Sequence, residues 1–422
     1  MDKIAYQNGT SSATDSPLWD QLEGYAREKI QEFVQQLLEE EVDDLFGRRK
    51  SERRTPGSPG GYRNGYGKPR QLALTNGTIL LRRPRVRDLD ERFVSRVLPL
   101  FRRRTDEVGA LLPELYLHGL ALGDFELALR GLLGDGAPLS ASSILRLKAA
   151  WQAQYNAWRQ RDLSDLELVY LWADGLYVKA GLEDTKAALL VVIGGLADGR
   201  KVILAVESGE RESTESWTAV LRGLKARGLC APKLTVGDGH LGIWGALGQL
   251  YRTSAEQRCW NHKLRNVLDA VPEKAQPEVK AALQAIANAE SRAAAERAKR
   301  AFHLAYAKRF PKAVERLERD WERMVAYYAF PKEHWRHLRT TNVVESPFDA
   351  VRLRTSAAKR YKRIDNATAM IWRLLLVVEQ RFRKLNAPER CRDVFNNKTF
   401  IDGELRTTPI TTVEKPRKDR AA

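Results

Sequence analysis

Three carboxylates occupy positions where oxygen ligands could do chemistry. Asp174 ends or interrupts the apolar run LELVYLWADGLYVKA, Asp238 closes the run PKLTVGDG, and Glu345 opens the helical stretch NVVESPFDAVRLRT. Carboxylates held close together repel one another unless divalent cations neutralise them. Hard oxygen donors suit Mg²⁺ or Mn²⁺. Two such ions, roughly 3.5 to 4 Å apart, can activate an attacking oxygen and stabilise a leaving one, which is phosphodiester chemistry. Each acid also has a plainer reading. Asp174-Gly175 between two apolar runs is what a hairpin turn looks like. Glu345 fits a helix N-terminus on dipole grounds alone, and Asp349, one helical turn later, is a rival third ligand. Asp238-Gly239 differs, because helix-like residues follow it and no returning strand. Its side chain then sits at the carboxyl end of a strand, where open α/β sheets bind ligands.

These acids need a scaffold. LELVYLWADGLYVKA, KAALLVVIGGLADG and RKVILAVESGE read as three consecutive strands, the last two joined at Asp198-Gly199. Trp217, Val220, Leu221 and Leu224 have helical spacing over Ser216 to Gly228. PKLTVGDG gives a fourth strand, Leu241 to Leu250 a short helix, and SAEQRCW a fifth strand. That element order is the order of an RNase H-like α/β core, in which the first and fourth strands are neighbours and would bring Asp174 to Asp238. Lys263 to Trp335 reads as an all-helical insertion, alanine-rich from Ala281 to Ala301. A last helical region from Val343 to Leu385, broken by a basic loop, would deliver Glu345 over the sheet.

The full plan is an α/β RNase H-like catalytic core in two parts, 161–262 and 341–390, split by the insertion at 263–340 and followed by a tail at 391–422, frayed after Gly403. Ahead of the core stand an N-terminal helix and arm (1–70), a β-hairpin segment (71–104) and a helix-turn-helix-like region (105–160). Apolar residues from Leu18 to Leu45 give an amphipathic helix. Arg48 to Arg70 holds eight Lys or Arg, one acid and five glycines, and reads as a basic mobile arm that includes Arg63. Asn76-Gly77 marks a hairpin whose second strand carries Arg82, Arg83, Arg85 and Arg87. Three helical runs follow, Thr105 to His118, Leu122 to Leu133 and Ser140 to Trp158. Arg146 and Lys148 lie in the first turns of the third, where a recognition helix meets DNA; a small bundle with a solvated basic face is the alternative.

Charge points the same way. The 422 residues include 71 Lys plus Arg against 54 Asp plus Glu, a formal charge of +17 that calls for a polyanionic partner. With 43% hydrophobic and 30% charged residues the chain can bury sizeable cores, which excludes a wholly disordered or collagen-like protein. No apolar run is long enough to span a membrane and no secretory signal opens the chain, so a cytoplasmic, nucleoid-associated protein is expected. Cys230, Cys259 and Cys391 read as reduced thiols. Cys259 and His262 form a single C-x-x-H without a companion pair, so a closed zinc site is not expected; they should pack or hydrogen-bond beside the acids. Trp335 could stack an unpaired base or belong to the core. The acid-free run Val351 to Ile364 puts Arg352, Arg354, Lys359, Arg360, Lys362 and Arg363 shortly after Glu345, where a phosphate backbone would lie.

Taken together, the stretches GYRNGYGKPR, LYLHGLALGDFE, LSASSILRL, WADGLYVKA, VESGERESTESW, LKARGL, VGDGHLG, QRCWNHKLRNVL and RTTNVVESPFDAVRLRT resemble the Mutator-type bacterial insertion-sequence transposases. The resemblance implies a DDE transposase in which Asp174, Asp238 and Glu345 are the catalytic, metal-binding triad, and Cys259 with His262 the family's C-x-x-H signature. It also implies two Mg²⁺ or Mn²⁺ ions per site and metal-dependent cleavage at element ends. The freed 3′ hydroxyls would then be transferred into target DNA. Terminal inverted repeats and target DNA would be the partners, and a homodimer would bring two ends together. A nuclease of the same fold that cuts without joining, and a catalytically silent DNA-binding derivative, are the rival readings.

Overall fold

The computed structural model describes residues 21–99, 104–108, 115, 141–179, 186–209, 211–239, 241–358 and 363–406. The chain divides into two compact units, Met1–Leu147 and Lys148–Ala422.

In the first unit, α1 (Leu22–Phe46) buries Leu38, Val42 and Phe46 and stops at Gly47, whose left-handed backbone caps it. Four short strands follow: β1 (Tyr62–Tyr66), β2 (Arg70–Leu74), β3 (Gly77–Leu81) and β4 (Pro84–Arg87). β2 and β3 form the expected hairpin, with Leu74 opposite Gly77, so the loop is Thr75-Asn76 and Gly77 already belongs to the strand. Leu38, Ile79, Leu81 and Leu98 make the small core against which the hairpin packs. Two expectations change here. The arm at 48–70 contributes β1, which pairs antiparallel with β4. The second hairpin strand also stops at Leu81, leaving Arg82 and Arg83 in a connection ahead of β4. Arg48 lies 5.6 Å from the Tyr62 ring, so part of the arm's charge is spent on local packing.

Most of the helix-turn-helix expected over 105–160 lies outside the described residues. Its third run is helical, α2 (Ala141–Trp158). Trp151 and Tyr155 on its second half are buried, and the Tyr155 hydroxyl donates to the Val206 carbonyl at 2.7 Å.

The second unit is built on a mixed sheet. β5 (Leu168–Lys179), β6 (Lys186–Leu196) and β7 (Lys201–Gly209) meander; α3 (Thr214–Ala226), β8 (Leu234–Gly237), α4 (Leu241–Leu250) and β9 (Ala255–Arg258) follow. The spatial order is β7-β6-β5-β8-β9. β5 pairs antiparallel with β6 and parallel with β8. Alternation along β5 separates two faces. Leu171 and Ala173 join Trp217, Leu221, Leu224, Ile243 and Leu247 of α3 and α4 in the main core. On the opposite face the Tyr170 hydroxyl meets His334 Nδ1 at 2.8 Å and the Trp172 indole donates to the His337 carbonyl at 2.8 Å.

A run of helices then separates β9 from the helix that carries Glu345: α5 (Trp260–Leu268), α6 (Gln276–Ala287), α7 (Arg292–Tyr306), α8 (Pro311–Glu318), α9 (Trp321–Val325) and α10 (Trp335–Leu338). α11 (Asn342–Ala358) and α12 (Ile364–Glu379) return to the sheet, where Glu379 Oε1 accepts from the Ile203 amide at 2.5 Å. The segment expected as a tail has regular structure within its described residues, which run to Arg406: α13 (Pro388–Phe395) precedes a hairpin of β10 (Phe400–Ile401) and β11 (Glu404–Leu405). The Gly403 amide donates to the Tyr328 carbonyl at 3.1 Å and anchors that hairpin. Among the described residues no helix is long and apolar enough to cross a membrane.

Trp335, considered as a base-stacking platform, is core instead. It is 6% exposed, packs edge-on against Tyr327 and Tyr328 with centroids 5.4 and 4.8 Å away, and donates its indole N–H to the Phe330 carbonyl at 2.8 Å. A ring enclosed by two others has no face to offer a base.

Candidate active site

The register of β5 on β8 brings the two aspartates together. Tyr170, Leu171 and Trp172 pair with Leu234, Thr235 and Val236. Asp174 lies two residues beyond the last pair on one strand and Asp238 two beyond it on the other, so both side chains emerge on the same face as the strands part. The turn reading of Asp174-Gly175 does not hold, because β5 runs on to Lys179 with Asp174 opposite Val191 and Gly175 opposite Leu190.

Sequence reasoning missed a third acid here. Glu212 is 9% exposed, and carboxylate oxygens of Asp174, Glu212 and Asp238 all lie within 4.8 Å of one another. Its backbone is fixed next to Ser213, whose hydroxyl caps α3 by accepting from the Ser216 amide at 3.2 Å. The Tyr177 hydroxyl hydrogen-bonds to Glu212; burial, then that carboxylate, push its pKa up to about 12. Glu212 is one of several glutamates in VESGERESTESW, and its spacing sets it apart from none of them. The one available signal was Gly175: a Cβ there would lie 2.8 Å from Glu212 Cγ and would overlap the carboxyl group itself.

Electrostatics match this crowding. The Asp174 carboxyl is pushed up to about 8, first by burial and then by Asp238, with Glu212 and Glu345 adding to the effect. The Gly175 amide, donating to Asp174 Oδ1 at 2.9 Å, opposes the shift without cancelling it. Asp238 is followed by Gly239 in the left-handed region (φ 105), and the Arg258 side chain lies across the position that a Cβ would take there. Arg258 in turn is held by Asp320 at 2.7 Å.

Glu345 sits in the first turn of α11, with its carboxylate in a neighbouring cluster. Thr341 donates its hydroxyl to Glu345 Oε1, and His262 Nδ1 lies 3.6 Å from the same oxygen. Ligand atoms of Cys259, His262 and Glu345 fall within 4.8 Å of one another. The Cys259 thiol, raised in pKa by burial, accepts the Thr341 amide at 3.4 Å. Trp260 N donates to the Arg339 carbonyl at 2.9 Å, and Asn261 bonds Asn342 at 3.0 Å. The C-x-x-H segment therefore holds the start of α5 to the start of α11 and sets the position of Glu345. Asp349, the rival ligand, is 79% exposed and paired with Arg352 at 2.9 Å, away from both clusters.

The structure puts the other candidates in scattered places. Arg63 pairs with Asp43 and faces Glu39 at 3.8 Å. Arg82 has its backbone N–H and C=O both bonded to the Gln35 side chain at 2.9 Å. Arg83 donates to the Phe93 carbonyl at 3.3 Å. Arg352 and Arg363 are exposed, the latter 3.4 Å from Asp365. Arg146, Lys148 and Arg354 occupy helical positions whose side chains are outside the description, and Lys359, Arg360 and Lys362 lie outside the described residues.

The donor set fits hard divalent cations. Three carboxylates converge at the end of two adjacent strands, and Gly175 leaves open the space that brings Glu212 into their company.

The comparisons with known proteins agree with the motifs. The family described as "Transposase, Mutator family" matches residues 5–384. The chain is 45% identical over 311 residues to the transposase for insertion sequence element IS6120 of Mycolicibacterium smegmatis, covering 73% of this chain and 96% of that protein. It is 42% identical over 278 residues to the transposase for insertion sequence element IST2 of Acidithiobacillus ferrooxidans, covering 65% and 94%. It is also 30% identical over 364 residues to the transposase for insertion sequence element ISRM5 of Rhizobium meliloti (strain 1021), covering 85% and 89%. The chain belongs to the Mutator family of transposases and is an enzyme that acts on DNA.

Proposed function

We propose that Asp174, Asp238 and Glu345 hold two divalent cations, Mg²⁺ or Mn²⁺, and that the enzyme cleaves insertion-sequence ends and transfers their 3′ hydroxyls into target DNA. The observation that carries this reading is the convergence of Asp174 and Asp238 from adjacent strands, where burial and then the Asp238 carboxylate push the Asp174 carboxyl upward. Bound cations would activate the attacking oxygen and stabilise the leaving one. The chain's own part is to hold and orient. Asp174 and Asp238 are fixed by the sheet, Glu212 adds a third oxygen donor from the start of α3, and Thr341 and His262 keep the Glu345 carboxylate ready at the start of α11. The Glu345 carboxylate, close enough to act on Asp174, would leave Thr341 for the aspartates when the site is loaded.

The strand order supports an RNase H-like core, interrupted by the helices between β9 and α11. The first unit, with Arg63, Arg82, Arg83 and the start of α2, recognises the terminal inverted repeats. The protein works as a homodimer so that two ends are joined together, and Arg352, Arg354 and the basic residues up to Arg363 follow the DNA backbone near Glu345. Precleaved element ends, target DNA and Mg²⁺ test the proposal. Wild-type protein should join strands, while Asp238→Asn should bind ends and join none. Joining at the wild-type rate by Asp238→Asn refutes the metal assignment, and cutting without joining by the wild type favours the nuclease.

A further inference from the structure

We propose that a second basic surface, a groove beside the first turns of α11, holds the DNA backbone without regard to sequence. The groove, about 490 Å³ in volume, is lined by Lys201 of β7, Arg336 of α10, Ser346 of α11, and Arg381, Arg383 and Lys384 just beyond α12. Among the described residues no carboxylate lines it. None of the five cations forms an ion pair with a described residue, and all but the half-buried Lys201 are exposed.

The neighbouring chain shows that this is a local choice. A few residues on, Arg390 pairs with Asp393 at 3.2 Å, Arg392 with Glu167 at 2.5 Å and Lys398 with Asp393 at 2.7 Å. Glu379, the acid nearest in sequence to Arg381, is turned onto the β7 backbone at Ile203; Asp198, the carboxylate that feels Lys384, lies outside the groove lining and is paired with Arg200 at 2.5 Å. Five positive side chains gathered in one concavity repel each other, and a polyanion relieves that repulsion while releasing its own counterions.

Placement selects the partner. Ser346 and Pro347, which line the groove, follow Glu345 directly on α11, so a strand lying there passes the start of the helix that carries the acid. The cations are of the kind that grip phosphates, and hydrogen bonds to phosphate alone carry no sequence information. The groove therefore serves as a general hold on DNA near the chemistry, distinct from the residues assigned to end recognition.

Only the approach of DNA to Glu345 is taken from the proposed function; the grip on phosphate itself needs no metal. The test compares the full-length wild type with the Arg381→Ala/Arg383→Ala/Lys384→Ala variant. Binding of a fluorescent duplex of unrelated sequence is measured by anisotropy in EDTA, from about 50 to about 200 mM salt. The plot of log affinity against log salt should become shallower by about 0.9 for each phosphate deprived of its cation, hence by about 2.7 if all three side chains reach the backbone. Arg336→Ala, on α10, should flatten it independently by about 0.9. Wild-type slopes in both variants, with wild-type melting temperatures, overturn the groove and leave the carboxylate reading untouched. Strand joining by Asp238→Asn would overturn the carboxylates and leave the groove.

Discussion

Gly175→Ala isolates the contribution of Glu212 to cation binding. Gly175 lies inside β5, and its φ is not in the left-handed region, so its backbone accepts alanine. Replacing a mid-strand glycine removes an entropic cost of roughly 0.5–1 kcal/mol, which favours the variant. The new methyl group, however, would stand 2.8 Å from Glu212 Cγ, and ordinary contact begins at 3.4 Å. The side chain must withdraw by at least about 0.6 Å, the difference between those two distances, and the carboxyl group by more. The main chain has little room to take up the shift, because Gly242 of α4 packs close to it: a Cβ at that position would lie 2.5 Å from the Glu212 carbonyl oxygen and 2.7 Å from Ser213 C. Glu212 therefore swings away from Asp174 and Asp238. Losing a supporting group of this kind costs about 10- to 100-fold in metal affinity, or about 1.4 to 2.7 kcal/mol. Calorimetric titration with Mn²⁺ measures it, with Asp238→Asn as the reference for a lost ligand and thermal melting in EDTA as the check on folding. A folded Gly175→Ala protein that binds Mn²⁺ as tightly as wild type, while Asp238→Asn does not, refutes the role given to Glu212.

Two further predictions concern the helices between β9 and α11. Lys263 is buried, donates to the Arg319 carbonyl and faces Asp320 at 3.8 Å; burial and then Arg258 lower its pKa to about 7, with Arg319 adding to the shift and Asp320 opposing it. Its folded pKa thus lies below the unfolded one. The penalty is full below pH 7 and fades as pH rises toward 10.5, so stability should climb by up to about 1.4 kcal/mol per pH unit across that window. Lys263→Met should lack this rise in melts taken at successive pH values, and parallel curves for the two proteins would contradict it. Trp335→Ala should destabilise by about 3–5 kcal/mol in urea unfolding. It should leave the DNA affinity of the folded fraction unchanged, and an affinity loss at unchanged stability would restore the stacking role.

The sequence was legible where local pattern and tertiary demand coincide. The five strands of the mixed sheet and the helices α3 and α4 fall where period and turn signals put them, since a buried central sheet imposes long apolar runs. Asp238 was readable because a strand that hands over to a helix exposes its last residue. Asp174 was ambiguous in the same letters, Asp-Gly, because a dipeptide does not reveal that β6 continues to pair beyond it. Glu212 was not legible: what sets it apart is the space left by Gly175, 37 positions earlier in the chain, where only the folded arrangement brings the two together. The strand at Tyr62–Tyr66 was hidden by the glycines and charges of the segment around it, since its order comes from pairing with β4 and from packing on α1, not from composition. Trp335 looked available because its flanks are charged, yet Tyr327 and Tyr328 enclose it.

The proposed cation site stands or falls on anomalous diffraction from the full-length protein bound to precleaved element ends and Mn²⁺. Manganese peaks should be held by Asp174 and Asp238, with the Glu345 carboxylate drawn away from Thr341 and His262 onto one of them. Occupied manganese sites that leave either aspartate without an ion, or that leave Glu345 bonded to Thr341 and beside His262 as before, would overturn the assignment.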